Sequence, residues 1–182
     1  MSSPAQHPYE TLRPETVLDA LETLGVRADG RQNPLNSYEN RVYQVWLEEG
    51  SALGEGGALI AKFYRPQRWS DAQILEEHAF CAELAERELQ VVAPLNVAGS
   101  TLHQHAGFRF AVFPHCIGRT PEFDHGDTLE WMGRFLGRIH AVGALRPYAT
   151  RPTLDLHSFG EDSLRTLQAG HWLPDDLRAV WQ

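Results

Sequence analysis

Apolar residues recur along the chain with two different periods, which together predict helices alternating with strands. Between Pro14 and Gly25 they return every three or four positions, which is typical of a helix with one buried face. The runs 42–47 and 58–64 are rich in β-branched, aromatic and other apolar residues and flank a glycine-rich turn. Two such runs around a turn predict a β-hairpin.

The middle of the chain continues this mixture. Ser70 with Gln73 forms a capping-box pattern, which predicts a helix that runs to about Arg87. Strands are predicted near 95–97 and at 107–113, where an aromatic-rich run ends at a proline. This stretch therefore adds one helix and two strands to the predicted hairpin.

Helical patterns dominate the last third of the chain. Asp127 with Glu130 forms a second capping-box pattern at the start of a predicted helix, and a short helix is predicted near 163–167. A last helical pattern begins at Pro174 and reaches Gln182 without the Gly or Asn that usually ends a helix. We therefore expect that the sequence is cut inside this element.

Length and composition predict a folded protein with a core of its own. The 182 residues are 42% hydrophobic and 10% aromatic, which excludes wholesale disorder. The 16 basic and 24 acidic side chains give a net charge of −8, so we expect neither nucleic acid nor a membrane as a partner. Two cysteines are too few for a disulfide framework, and no targeting segment is recognisable. A reduced, cytoplasmic protein is therefore expected.

Lys62 is the only lysine in the chain and lies inside the predicted strand 58–64. By the two-residue period of a strand it shares a face with Ile60 and Tyr64. Lysine also occurs on edge strands, where its charge blocks pairing with other chains. That alternative stays open from the strand alone.

The helix that follows offers Lys62 a partner. With Ile74 set at the centre of the apolar stripe, Glu77 falls about 60° away and inside the stripe, whereas Glu76 falls on the opposite side. A carboxylate on a buried face needs a cation, since breaking a buried ion pair costs about 3–5 kcal/mol. We therefore predict a Lys62–Glu77 ion pair; the alternative is that Glu77 reaches water at the end of the helix.

Kinases use a strand lysine held by a helix glutamate to place a cation on nucleotide phosphates. Upstream, residues 36–41 stand where a phosphate-covering loop is expected, and they offer small polar side chains and backbone amides. An ordinary polar turn is the alternative. Downstream, the strand 107–113 runs into residues 114–118 as a strand runs into an inter-lobe hinge; the alternative is a core strand that a proline ends.

These segments resemble the stress response kinase A family of bacterial Ser/Thr protein kinases. The family has the protein-kinase-like fold of the aminoglycoside phosphotransferases, and the resemblance runs from about Tyr9 to the end of the chain. It is carried by residues 34–44 (PLNSYENRVYQ), 62–69 (KFYRPQRW), 73–78 (QILEEH), 110–114 (FAVFP) and 133–140 (GRFLGRIH).

The resemblance implies an α+β fold, in which an N-lobe with an antiparallel sheet and a glutamate-bearing helix precedes an α-helical C-lobe. It implies ATP and Mg²⁺ as cofactors, a protein substrate, and a monomer when the protein is complete. Lys62 would bind the α- and β-phosphates and Glu77 would hold it, as the implied catalytic pair. The implied ATP-binding residues are Ser37, Tyr38, Glu39, Asn40, Arg41, Ile60, Lys62, Pro114, His115 and Cys116.

One part of the family pattern is missing. We find neither the catalytic loop, a His-Gly-Asp run followed by a metal-binding Asn, nor the later metal-binding Asp cluster anywhere in the sequence. We expect the base and the magnesium ligands beyond Gln182, so no metal ligand is assigned and the chain alone is expected to transfer no phosphate. A cut face would leave Leu136, Ile139, Leu177 and Trp181 short of partners.

The implied organisation is an arm and helix at 1–28, an N-lobe at 29–114, a hinge at 115–126 and an incomplete C-lobe at 127–182. The leading hypothesis is the ATP-binding portion of a cytoplasmic Ser/Thr protein kinase involved in stress response. Two alternatives stay open: a small-molecule phosphotransferase of the same fold, and a non-catalytic nucleotide-sensing or interaction module.

Overall fold

A computed structural model describes residues 8–51, 53, 57–124, 126–170, 174 and 177. Its helices are α1 (Pro14–Glu22), α2 (Asp71–Glu86), α3 (Gly126–Gly143) and α4 (Asp162–Ala169). Its strands are β1 (Ala28–Leu35), β2 (Arg41–Leu47), β3 (Ala58–Phe63), β4 (His103–His105) and β5 (Phe108–Pro114). The chain forms two compact units that divide after Pro147, and in the second a π-helical turn, Leu156–Glu161, runs directly into α4.

The strands form one antiparallel sheet in the order β1-β2-β3-β5-β4, which places β3 at its centre. Successive side chains of β3 point to opposite faces of the sheet. Leu59, Ala61 and Phe63 are fully buried in the core that α1 covers. Ile60 and Lys62 lie on the other face, against which α2 packs. The lysine strand is therefore held between two helices.

The predicted helices and strands are largely confirmed, with ends that differ by a few residues. The capping box of α2 is present: the Ser70 hydroxyl accepts a hydrogen bond from the Gln73 amide at 3.2 Å, and the Gln73 side chain accepts one from the Ser70 amide at 2.9 Å. Asp127 is not the N-cap of α3, because the helix begins at Gly126 and Asp127 lies inside its first turn. The short helix predicted near 163–167 is α4.

The strand predicted near 95–97 is wrong. Val97 forms only an isolated bridge, because Ala98 and Gly99 have positive φ values of 52° and 83° and reverse the chain at once. The strand of this region is β4, which joins β5 through a two-residue turn, 106–107, with positive φ at both positions. That backbone geometry is the one that matches the twist of a hairpin.

Apolar side chains remain exposed near the end of the chain. Leu136 and Leu177 are 47% and 45% exposed. The expectation for Ile139 is wrong, because it packs with Leu84 and Leu89 between α3 and α2.

Several expectations concern residues that the structure does not describe. Apart from Pro174 and Leu177, the last helical pattern, including Trp181, lies outside the described residues, and so do residues 52 and 54–56 of the turn between β2 and β3. The lobe and hinge boundaries stay predictions. Among the described residues, no helix is both long and apolar enough to cross a bilayer.

Candidate functional site

The predicted ion pair is present. Lys62 Nζ, on β3, lies 3.3 Å from Glu77 Oε1, on α2. The two side chains are only 22% and 32% exposed. The edge-strand alternative for Lys62 is wrong, because β3 has β2 on one side and β5 on the other. The alternative in which Glu77 turns away to water is also wrong.

Glu77 is positioned by the way α2 rests on the sheet. Ile74, one turn earlier, is fully buried, and His78, the next residue, is 3% exposed. Ala85, which the helical period places only about 20° from Ile74, is exposed, whereas His78 is buried. The buried stripe of α2 therefore includes His78, and Glu77 lies at the edge of this stripe, facing Lys62.

Aromatic rings complete the surroundings of the lysine. Lys62 Nζ lies 4.8 Å from the ring centroid of Tyr64 and 5.9 Å from that of Phe113. At such distances an ammonium group is attracted by the negative faces of the rings. A cation is thus held on the sheet surface by one carboxylate and two rings.

A buried hydrogen-bonded chain, which the sequence analysis missed, lies behind this cation. The Tyr64 hydroxyl is 2.6 Å from His78 Nε2, and His78 Nδ1 is 2.8 Å from the Thr101 hydroxyl. These hydrogen bonds connect the end of β3 to α2, and α2 to the segment before β4. Its sequence signal is the histidine directly after Glu77, at a helical position that is otherwise apolar.

Residues 36–40 form the tip of the hairpin between β1 and β2, and their role as a phosphate-covering loop stays a prediction. The Ser37 hydroxyl donates to the Asn40 carbonyl at 2.8 Å, which closes the tip on itself. The Asn40 side-chain oxygen accepts from the Arg65 amide at 3.3 Å, and the Tyr38 side chain is fully exposed. The tip is therefore anchored to the connection between β3 and α2.

Glu39 points toward that same connection. Its carboxylate accepts hydrogen bonds from Trp69 Nε1 at 2.9 Å and from Arg68 Nε at 3.0 Å. Burial by itself would raise the pKa of Glu39, but these hydrogen bonds outweigh it and hold that pKa below its usual value. Glu39 is therefore a carboxylate that stays charged and engaged with its neighbours.

Tyr9 anchors the tip from beneath. Its hydroxyl donates to the Glu39 carbonyl at 2.9 Å, and the Arg41 guanidinium lies 4.6 Å from its ring centroid. Burial raises the pKa of Tyr9 to about 12, although the charges of Arg41 and Arg65 oppose the shift. The hydroxyl is thus a hydrogen-bond donor throughout the neutral range.

The predicted hinge residues lie at the opposite end of the central strand. Pro114, the last residue of β5, pairs with Leu59 of β3, and Ile60 pairs with Phe113. His115 is half-buried, whereas Cys116 is exposed and in the reduced form. The predicted hinge residues therefore lie beside the Leu59 end of β3, and the hairpin tip lies beside the Phe63 end, with Ile60 and Lys62 between them.

The catalytic loop that the family resemblance implies is incomplete in this sequence. A His-Gly-Asp tripeptide does occur at 125–127, but the last asparagine of the sequence is Asn96, so no metal-binding Asn follows it. Gly126 and Asp127 form the first turn of α3. Among the described residues, no group of three or more His, Cys, Asp or Glu side chains could hold a metal ion.

Comparison with known proteins identifies the family. A family profile described as "Phosphotransferase enzyme family" (APH) matches residues 31–182. The chain belongs to this family. The α+β fold that the resemblance implied is confirmed by the family match and by the observed sheet and helices.

Curated relatives within the family are stress response kinases. Stress response kinase A of Shigella flexneri and that of Escherichia coli (strain K12) are each 42% identical over 173 residues, covering 95% of this chain and 51% of theirs. The serine/threonine protein kinase RdoA of Salmonella typhimurium is 41% identical over the same length. The resemblance to stress response kinase A is confirmed, and the chain spans about half the length of these relatives.

A solved structure of another phosphotransferase shares the fold. Amicoumacin kinase hAmiN, in complex with AMP-PNP, Ca²⁺ and Ami, superposes with a TM-score of 0.63 at 21% sequence identity. The match covers 87% of this chain and 48% of that one. At this identity the likeness bears on the fold alone.

Proposed function

We propose that this chain is the ATP-binding portion of a cytoplasmic Ser/Thr protein kinase involved in stress response. The observation that carries the proposal is the Lys62–Glu77 pair, held at 3.3 Å on the central strand between a hairpin tip and a hinge. A lysine fixed in this way presents a positive charge to phosphate oxygens, while the glutamate keeps the ammonium group from folding away.

The order of groups along β3 fits an extended nucleotide. Leu59, which pairs with the hinge, and Lys62 are three residues apart, or about 10 Å along a strand. The adenine would meet the backbone near 114–116 and pack on Ile60, and Lys62 would meet the α- and β-phosphates. Residues 37–41 would cover the phosphates with their backbone amides.

The acceptor and the metal belong to the proposal as well. Relatives that are 41–42% identical carry the names of stress response and Ser/Thr protein kinases, which supports a protein hydroxyl as acceptor. The amicoumacin kinase, at 21% identity, bears on the fold alone and does not choose between a protein and a small-molecule acceptor. Mg²⁺ as a cofactor stays a prediction, because the described residues contain no group of three or more His, Cys, Asp or Glu side chains that could hold a metal ion.

Calorimetry with ATP tests the proposal. Wild type is expected to bind ATP, and Lys62→Ala to bind it about 10- to 100-fold more weakly, which corresponds to the loss of a charge-assisted hydrogen bond. Arg27→Met is the matched control, because it also removes one positive charge but from an exposed ion pair with Glu48. Its ATP affinity should equal that of wild type.

Two results would contradict the proposal. Absence of ATP binding by the wild type would favour the non-catalytic interaction module. An affinity that Lys62→Ala leaves unchanged would place any nucleotide elsewhere on the protein. A phosphotransfer assay on the chain addresses the separate prediction that it is inactive alone, which robust turnover abolished by Lys62→Ala would overturn.

A further inference from the structure

The Glu39 carboxylate links the hairpin tip to the connection between β3 and α2. We propose that Glu39, Arg68 and Trp69 form a latch that fixes the phosphate-covering loop, 36–40, in its binding conformation before the nucleotide arrives. In this role Glu39 is a positioning residue that acts through the loop rather than a nucleotide ligand. The inference rests on the function proposed above.

Each of the three latch residues contacts the other two. Each carboxylate oxygen of Glu39 accepts one hydrogen bond, from Trp69 Nε1 at 2.9 Å and from Arg68 Nε at 3.0 Å. The Arg68 guanidinium also lies 4.5 Å from the ring centroid of Trp69. The Glu39 side chain is only 27% exposed. Charge-assisted hydrogen bonds of this kind are stronger than neutral ones.

Two further contacts bind the same loop to its surroundings. The Glu39 carbonyl accepts a hydrogen bond from the Tyr9 hydroxyl at 2.9 Å, and the Asn40 side chain accepts one from the Arg65 amide at 3.3 Å. The loop is thus fixed to residues 65–69 through both Glu39 and Asn40. Because residues 65–69 join β3 to α2, the latch ties the loop to the strand of Lys62 and to the helix of Glu77.

The charge of Glu39 makes the latch distinguishable from a direct role. An unpaired carboxylate in a loop over phosphates would repel them, so removing its charge would strengthen nucleotide binding. In the latch, the carboxylate is paired with Arg68, and removing its charge frees the loop. Each binding event would then include the entropic cost of ordering the loop, which lowers the affinity for ATP. The two roles predict changes of opposite sign.

The test compares ATP with adenosine in four forms of the chain: wild type, Glu39→Gln, Trp69→Phe and Glu83→Gln. Trp69→Phe removes the indole N–H but keeps an aromatic ring for Arg68. Glu83→Gln is the matched control, because Glu83 also accepts two arginine hydrogen bonds, from Arg87 at 2.9 Å and Arg146 at 3.0 Å, and is 22% exposed. Affinities are measured by calorimetry.

The latch predicts that Glu39→Gln and Trp69→Phe each weaken ATP binding by about 3- to 10-fold and leave adenosine binding unchanged. Hydrogen exchange of the nucleotide-free chain should speed up at amides 37–41 in both variants and stay at the wild-type rate in Glu83→Gln. A merely structural defect would weaken adenosine and ATP alike, and that result would overturn the inference.

Other outcomes separate the latch from the proposed function. If wild type binds ATP but Glu39→Gln binds it equally or more tightly, the latch is wrong and the proposed function stands. If wild type binds no ATP, the proposed function is wrong, and so is the predicted weakening of ATP binding in Glu39→Gln and Trp69→Phe. Unchanged exchange at amides 37–41 in both variants would refute the latch whatever the nucleotide result.

Discussion

Replacing Tyr64 with Phe removes one hydroxyl group from behind the lysine site. In the structure that hydroxyl lies 2.6 Å from His78 Nε2, and the two residues are 2% and 3% exposed. Water therefore cannot take the place of the lost hydroxyl. The Phe ring still offers its face to Lys62, so the ion pair and its aromatic surroundings are retained.

The expected cost follows from the burial of the pair. Removing one partner of a buried hydrogen bond destabilises a protein by about 1–3 kcal/mol. In a chain of this size each kcal/mol lowers the melting temperature by about 2–4 °C. Tyr64→Phe should therefore unfold at a clearly lower temperature than wild type in thermal melts followed by circular dichroism.

Tyr38→Phe provides the matched control. It makes the same chemical change on a fully exposed side chain, where substitutions usually change stability by less than about 0.5 kcal/mol. If Tyr64→Phe melts within experimental error of Tyr38→Phe, the hydrogen-bonded chain through His78 contributes nothing and the reasoning is refuted.

Three further predictions concern the anchoring of the site. Glu77→Gln should change the free energy of unfolding by less than about 1 kcal/mol, since both ends of the ion pair are partly exposed, yet lower ATP affinity in calorimetry; equal affinity would refute the role of the pair. The pKa of Tyr9 is raised to about 12 in the folded protein, so the unfolded chain loses the hydroxyl proton first as the pH rises above about 10. Between pH 10 and 12, the unfolding free energy of wild type should therefore fall by up to about 3 kcal/mol relative to that of Tyr9→Phe. Parallel pH profiles of the two in urea denaturation would contradict that. Ser70→Ala should cost about 1 kcal/mol through loss of the α2 cap, measured by the same denaturation, and a cost near zero would show that the capping box is dispensable.

Local patterns in the sequence were sufficient to predict the Lys62–Glu77 pair. The strand period puts Lys62 on a defined face, and the helical period puts Glu77 on the buried side of a helix only a few residues later. The polar stretch 36–41 and the proline after the aromatic strand are also local signals, but the loop and hinge roles that they suggest stay predictions. Each of these features depends on residues close together in the chain.

The contacts that fix the site join residues far apart in sequence, and local patterns do not identify the partners in them. His78 and Thr101 are 23 residues apart, and Glu39 and Trp69 are 30 apart. Such pairs are defined only when strands take their places in a sheet and a helix docks on one face.

The sequence by itself determined the helices, most strands, the charged pair and, through resemblance, the kinase-type family. Only the tertiary structure decided that Lys62 stands on a central strand, because strand order depends on how β5 returns to pair with β3. It also decided that Glu39 faces Arg68 and Trp69, and that His78 is buried between two hydroxyl groups. Periodicity selects the face on which a side chain lies, but the partner it meets there is set by long-range packing.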